Sequence, residues 1–227
     1  MLELNRLYHE DCMRGMAEFP DGYFDLALVD PPYGIKIDEK MSKQKPRGGG
    51  GTKSGRSTRL YIAKGWDREI PPGEYFRELE RVSRNQVIWG GNYFVEHLTA
   101  GHRGWLIWDK GQHGLTMSDA EIAYTSFDFP TRVCIMNRVA IQTDGAIHPA
   151  QKPVALYTWV LKTVGAKEGW RILDTHAGSA ASLVACERFG GLYYVGFEID
   201  EDYYIKASER LAAEQAQVKI FDMEEKQ

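Results

Sequence analysis

The chain is 227 residues long, with 43% hydrophobic and 12% aromatic residues, and its formal net charge of −4 taken alone argues against a nucleic-acid partner. No apolar run approaches the roughly 18 residues of a membrane span, the first residues lack the pattern of an export signal, and Cys12, Cys134 and Cys186 form no CxxC pair. Composition therefore predicts a single domain in the reducing cytoplasm, with neither a disulfide framework nor a metal site.

The first half of the chain alternates short strand-like runs with helical segments. Strands are predicted at 4–10 and 24–30, with a short helix at 13–19 between them. Prolines suited to a helix start open the segment 71–83, which carries apolar residues at helical spacing. Four strand-like runs follow up to residue 137, namely QVIWGGN, WLIWD, AEIAYTSF and TRVCIMN.

The segment 36–68 differs from the rest of the chain in charge and pattern. It holds ten basic and three acidic residues, so it carries +7 while the remainder carries about −11. It shows no hydrophobic period and contains GGGG at 48–51, which predicts a long mobile loop. A positive segment on an acidic body is typical of a polyanion contact, and a solvated linker is the alternative.

The last third of the chain contains a βαβ unit, a motif about 30 residues long. A helix over KPVALYTWVLKTVGA precedes the strand RILD, the small-residue turn THAGSAAS, the helix SLVACERFG and the strand GLYYVGFEID. An amphipathic helix over DEDYYIKASERLAAEQAQ closes the series.

The turn after RILD predicts a site for an adenosine cofactor. Glu198 ends the next strand 24 residues after Asp174, where a Rossmann-like unit places a carboxylate for ribose hydroxyls. Gly178 occupies the turn, Ala180 stands where a second glycine is common, and no Lys-Ser/Thr pair follows. The pattern therefore favours S-adenosylmethionine, which has no pyrophosphate, over a nicotinamide dinucleotide. A tight strand-to-helix turn without a ligand is the alternative.

The stretch VDPPYG at 29–34 ends an apolar strand with two prolines and a glycine. Proline donates no ladder hydrogen bond and fixes its own φ, so the chain must leave the sheet rigidly at Asp30. The result is a carboxylate, a stiff elbow and the Tyr33 ring at one strand end. A rigid turn without chemistry is the alternative.

Together, VDPPYG, IHPAQKPVALYTWVL at 147–161, ILDTHAGSAAS and VGFEID resemble DNA amino-methyltransferases of the permuted β type. WGGNYF at 89–94 resembles the small, often phage-associated members. The resemblance covers most of the chain and implies one α/β domain over 1–227 with the Rossmann-like methyltransferase fold, a mostly parallel sheet flanked by helices. It also implies a circularly permuted motif order, with a target-recognition region at 96–146 between the catalytic motif and the cofactor loop.

The positions that match the motifs of the DNA amino-methyltransferases imply the following site residues. The catalytic residues are Asp30, Pro31, Pro32 and Tyr33, and the cofactor-binding residues are Asp11, Cys12, Asp30, Lys152, Asp174, His176, Gly178, Ser179, Ser182 and Glu198. Among these, Asp11 is expected near the adenine, Glu198 on the ribose and Lys152 on the cofactor carboxylate. The chain departs from the family pattern at Thr175-His176, where Pro-Phe is common, and at Ala180.

Two regions are candidates for DNA contact. The basic segment is expected to hold phosphates beside an extruded base through Lys43, Lys45, Arg47, Lys53, Arg56 and Arg59. The target-recognition region offers Arg103, Lys110, Gln112, His113 and Arg132.

The predicted function is transfer of a methyl group from S-adenosylmethionine to adenine N6 in double-stranded DNA, as in restriction–modification systems, because aspartate before PPY is commoner in the adenine branch. Cytosine-N4 methylation of DNA is the first alternative. Methylation of RNA or protein glutamine is disfavoured because those enzymes typically carry NPPY. A nucleic-acid-binding module that has lost catalysis is the last alternative, and a homodimer is expected from the family.

Overall fold

The computed structural model describes residues 1–42, 63–98, 104–114, 118–137, 147 and 150–224. The chain separates into two compact units. The larger consists of Met1–Pro31 and Pro71–Gln227, and the smaller of Pro32–Ile70.

One eight-stranded sheet forms the centre of the larger unit, in the order β1-β8-β7-β2-β3-β5-β4-β6. Its strands are β1 (Arg6–His9), β2 (Leu26–Val29), β3 (Gln86–Trp89), β4 (Trp105–Asp109), β5 (Ala120–Thr125), β6 (Arg132–Ile135), β7 (Arg171–Asp174) and β8 (Tyr193–Glu198). Among the strands that the structure describes, β5 is antiparallel to both of its neighbours and the other pairings are parallel.

Five helices belong to the larger unit and one to the smaller. They are α1 (Cys12–Ala17), α2 (Ile37–Ser42), α3 (Gly73–Val82), α4 (Val154–Thr163), α5 (Ala181–Phe189) and α6 (Glu201–Glu224), with a 3-10 turn at Gly91–Tyr93. In the larger unit α1 packs against α3, while α5 packs against α4 and α6. Because parallel crossovers are right-handed, these two groups cover opposite faces of the sheet.

The core lies where the central strands are covered on both faces. Every residue of β2 and of β3 is buried, which explains why LALV and the VIW of β3 are continuous apolar runs without alternation. The side chains of Trp89 and Trp108 are buried in this core.

The elements predicted from the sequence occur within a few residues of their observed bounds, with three differences. Helix α6 continues to Glu224, beyond its predicted end at residue 217. Helix α2 forms at the start of the segment predicted as a loop over 36–68, because it gains hydrogen bonds that composition does not reveal. Strands β4, β5 and β6 of the predicted target-recognition region belong to the main sheet. None of the helices in the described part of the chain is long and apolar enough to cross a membrane.

Candidate active site

Four neighbouring strands carry an acidic residue at or just after their carboxyl ends. Asp11, Glu198, Asp174 and Asp30 follow or end β1, β8, β7 and β2, which lie side by side and parallel. The chain leaves β7 toward β8 and leaves β2 toward β3, so the direction of winding reverses between β7 and β2. In open α/β sheets the crevice at such a reversal is where ligands bind.

The carboxylate of Asp174 organises the turn between β7 and α5. Its Oδ1 accepts the backbone N–H of His176 at 3.0 Å, and its Oδ2 accepts the hydroxyl of Ser182. Burial raises the pKa of Asp174 to about 7, against the lowering effect of these two donors. Asp174 therefore changes its charge near neutral pH in the folded protein.

Glu198 ties this turn to the end of β8. Its two oxygens accept the backbone N–H groups of Gly178 and Asp200, each at 2.8 Å. Burial raises the pKa of Glu198, although the same donors oppose the shift. Gly178 and Ala180 both have positive φ, 53° and 56°, so the alanine adopts a left-handed conformation that glycine adopts at less cost.

A hydrogen-bonded chain that is buried at Tyr75 and Thr175 and half-buried at His176 supports the unusual Thr175-His176 pair. The Tyr75 hydroxyl lies 2.7 Å from Thr175 Oγ1, which lies 2.9 Å from His176 Nδ1. Burial lowers the pKa of His176 to about 4, so the imidazole is neutral at physiological pH. Tyr75 on α3 was not among the predicted site residues, because only the tertiary fold brings it to this turn.

The remaining cofactor candidates lie beside this turn or at the end of β1. Asp11 caps α1 by accepting the backbone N–H groups of Met13 and Arg14 at 2.9 and 3.2 Å. Burial, and secondarily the charge of Asp11, raises the pKa of Cys12 to about 12, so its thiol stays protonated. Ser179 is buried, and its carbonyl accepts a hydrogen bond from Arg210.

Asp30 is joined to a buried lysine. Lys152 Nζ lies 2.5 Å from Asp30 Oδ2 and 3.0 Å from Glu121 Oε2, and Lys110 Nζ lies 2.9 Å from Glu121 Oε1. Burial alone would lower the pKa of Lys152, but the charges of Asp30 and Glu121 outweigh it and raise that pKa. Lys152 is predicted from the sequence to contact the cofactor carboxylate, and in the structure its ammonium pairs with Asp30.

The catalytic motif continues from the larger unit into the smaller one. Pro31 is buried and ends the first segment of the larger unit, while Pro32 and Tyr33 belong to the smaller unit. In the smaller unit the Asp67 carboxylate accepts the backbone N–H groups of Tyr33, Gly34 and Ile37 at 2.8, 2.9 and 2.8 Å. Asp67 is 1% exposed, although the sequence placed it in a mobile loop. A second buried carboxylate, Asp38, accepts the backbone N–H groups of Glu39 and Gly65.

Most predicted DNA contacts lie outside the described residues. These are Lys43, Lys45, Arg47, Lys53, Arg56, Arg59 and Arg103. Lys110, a candidate of the predicted target-recognition region, has a side chain that is 9% exposed and paired with Glu121. Gln112 and His113 lie in the loop after β4 and Arg132 begins β6. Within the described ranges no cluster of three or more His, Cys, Asp or Glu could hold a metal ion.

Comparisons with known proteins agree with this architecture. No family model matches the chain. YubD of Escherichia coli strain K12, whose name assigns it to the methylases, is 24% identical over 233 residues, covering 93% of this chain and 92% of YubD. A Thermus thermophilus protein described as a DNA modification methylase has a TM-score of 0.58 at 17% identity, covering 92% of this chain and 94% of that one.

Two further solved structures have the same architecture. The same Thermus protein complexed with S-adenosyl-L-methionine has a TM-score of 0.57. The PvuII DNA methyltransferase, described as cytosine-N4-specific, has a TM-score of 0.55 at 10% identity, covering 93% of this chain and 91% of that one. The chain has the S-adenosylmethionine-dependent methyltransferase fold. The predicted fold class, an α/β protein with a mostly parallel sheet flanked by helices, is confirmed.

We expect Asp174→Asn to remove a pH-dependent loss of stability. The folded-state pKa of Asp174, about 7, lies above its ordinary value of 3.8, so the folded chain binds the proton more tightly and loses stability as pH rises from about 4 to 7. Between pH 5 and 8 the wild type should lose about 2–3 kcal/mol more unfolding free energy than the variant. Urea unfolding at both pH values measures this, and equal losses in the two proteins would contradict it.

We expect Asp67→Ala to open the smaller unit locally. The variant leaves three backbone donors without their acceptor, and hydrogen bonds to a charged group contribute about 1.5–3 kcal/mol each. Cleavage by trypsin after Lys36 and Lys40, followed by mass spectrometry, should become at least about tenfold faster. The control is Glu69→Ala, which removes an exposed carboxylate two residues away. Equal cleavage rates in the two variants would refute the anchoring role of Asp67.

Proposed function

We propose that the chain is an S-adenosylmethionine-dependent DNA methyltransferase that modifies the N6 amine of adenine. One observation carries the proposal: Asp30, followed by two prolines and a tyrosine, lies at the reversal point of the sheet beside the strand that ends at Asp174. Cofactor and target amine would thus meet between β7 and β2. The likeness to DNA methyltransferase structures supports methyl transfer to a base amine of DNA, and the choice of adenine rests on the aspartate at position 30.

The residues beside β7 and β8 fit an adenosine cofactor. Glu198 ends β8 and Asp11 follows the adjacent β1, so both carboxylates lie at the edge where the ribose and adenine are proposed to bind. The small residues of THAGSAAS allow close approach of the backbone to the methionine half. When bound, S-adenosylmethionine supplies a sulfonium methyl group, whose carbon bonds to the amine nitrogen while the electrons of the broken S–C bond stay on sulfur.

The DPPY motif would activate the target amine mainly by positioning it. An exocyclic base amine is a poor nucleophile because its lone pair is delocalised into the ring. Asp30 and the Pro31 carbonyl accept its two hydrogens and direct the nitrogen toward the methyl group, and such near-attack geometry can supply ~7–11 kcal/mol of the barrier. The amine proton leaves to water during or after transfer.

The target base must leave the duplex to reach Asp30. We assign Tyr33 as the ring that stacks on the extruded base, a contact that contributes ~1–3 kcal/mol per base in single-strand binding proteins. Asp67 fixes the backbone of Tyr33 through its N–H group. The smaller unit would therefore hold the stacking residue in a defined backbone conformation.

Cytosine-N4 methylation is the second candidate, because the PvuII enzyme, which is cytosine-N4-specific, shares the fold. Both reactions use an exocyclic amine, so the same acceptors serve either base. The aspartate at position 30 favours adenine through family resemblance. Mass analysis of digested nucleosides distinguishes the two methylated products.

We expect Asp30→Ala to abolish methyl transfer. Incubation with labelled S-adenosylmethionine and unmethylated DNA, followed by digestion to nucleosides, should give N6-methyladenine with the wild type and about 100-fold less or lower with the variant, since an acceptor at the reacting atom is lost. The circular dichroism spectrum and the midpoint of thermal unfolding serve as the test of folding.

The matched control is Asp25→Ala. Asp25 immediately precedes β2, at the end opposite Asp30, and also pairs with cations, Arg84 and Arg171. This variant should retain methyl transfer. If the wild type methylates no base, or if Asp30→Ala matches the wild type, the proposed function is refuted.

We expect neutralisation of Lys43, Lys45, Arg47 and Lys53 to weaken DNA binding and flatten its salt dependence. Each lost phosphate contact should lower the slope of log affinity against log salt by about 0.9. Fluorescence anisotropy at several salt concentrations measures the slope. Neutralisation of four exposed cations elsewhere, Arg77, Lys162, Lys167 and Lys206, is the control. An unchanged slope would favour a solvated linker.

A further inference from the structure

Four charged side chains of alternating sign form an array that begins at Asp30. Asp30 follows β2, Lys152 precedes α4, Glu121 lies on β5, and Lys110 follows β4. Successive members are 2.5, 3.0 and 2.9 Å apart. The two lysines are 3% and 9% exposed and the carboxylates of Asp30 and Glu121 are 18% and 25% exposed, so the ammonium groups are shielded from water more than the carboxylates are. The array runs along the edge of the sheet at which β2, β3 and β4 end.

The alternation makes the array electrically neutral. A buried charge without compensation is strongly disfavoured, whereas a paired one is tolerated. Burial would raise the pKa of Glu121, but Lys152 and Lys110 outweigh it and lower that pKa to about 2. Glu121 is therefore ionised at physiological pH and offsets one of the two ammonium charges.

Neutrality matters for the chemistry proposed at Asp30. As the new N–C bond forms, positive charge grows on the amine nitrogen, and the Asp30 carboxylate stabilises it. The ammonium of Lys152 is bound to that same carboxylate and opposes this charge. A carboxylate on the other side of Lys152, such as that of Glu121, reduces the repulsion between the Lys152 ammonium and the amine nitrogen. This electrostatic effect is large where burial weakens the screening of charges by water.

We propose that Glu121 is a positioning residue for methyl transfer, which holds the Lys152 ammonium against Asp30 and cancels its charge, while Lys110 balances Glu121. This inference rests on the proposed function. It assigns a role to two residues that do not touch the reacting atoms.

The test compares variants that differ in the net charge of the array. Glu121→Gln keeps the volume and leaves one positive charge in excess, and the double variant Lys110→Met/Glu121→Gln is neutral again. We expect Glu121→Gln to lower the single-turnover rate of methyl transfer roughly tenfold or more, with dissociation constants for cofactor and DNA within about twofold of the wild type. The double variant should be several-fold faster than Glu121→Gln.

The control is Glu78→Gln, because Glu78 is also paired with a cation, Arg81, and its side chain is 20% exposed against 25% for Glu121. A rate for Glu121→Gln equal to that of this control would overturn the proposal. A double variant whose rate is as low as that of Glu121→Gln, or lower, would also overturn the proposal. If Glu121 acted only through packing, removal of Lys110 as well would not restore the rate. If Glu121→Gln does not fold, a double variant more than about tenfold slower than the wild type would overturn it.

A second measurement needs neither cofactor nor DNA. NMR titration of isotopically labelled lysine in the ligand-free protein should show a lower pKa for Lys152 in Glu121→Gln than in the wild type, since one of the two charges that raise it is lost. An unchanged pKa refutes the charge coupling. A wild type that transfers no methyl group to DNA refutes the proposed function, and the titration still tests the array.

Discussion

The ion pair between Lys152 and Asp30 connects residues 122 positions apart in the chain. Asp30 comes directly after a central strand, where the prolines prevent further strand pairing, so the carboxylate needs an external partner to hold one orientation. Lys152 provides it from the segment that precedes α4. The position of the Asp30 carboxylate therefore depends on the half of the sheet beyond β3, because Glu121 of β5 holds the lysine in turn.

The VDPPYG stretch is fixed by two separate carboxylate systems. On its N-terminal side, Asp30 accepts a hydrogen bond from the Lys152 ammonium. On its C-terminal side, the backbone of Tyr33 and Gly34 donates to Asp67, and Gly34 has a φ of +71° that disfavours other residues. Each system acts within its own unit: the first holds the side chain of Asp30 in the larger unit, and the second holds the backbone at Tyr33 and Gly34 in the smaller unit.

Local patterns predicted the sheet and helices and the acidic residues at strand ends, because periodicity and turn residues act over a few positions. LALV followed by Asp-Pro-Pro, and RILD followed by small residues, mark strand ends directly. The roles of Glu121 and Lys110 could not be predicted, since they depend on the register of β4 with β5. Asp67 was missed because its segment was interpreted from its net charge, whereas one buried carboxylate decides the local structure there.

The order of strands has a consequence for biosynthesis. β1 is made first but pairs with β8, and β2 pairs with β7, so the candidate site contains contacts between the earliest and the latest parts of the chain. Such non-local pairs cannot form on the ribosome until the last third has emerged. A nascent or truncated chain consequently lacks the edge on which Asp30, Asp174 and Glu198 meet. Assembly of the candidate site thus coincides with completion of the sheet.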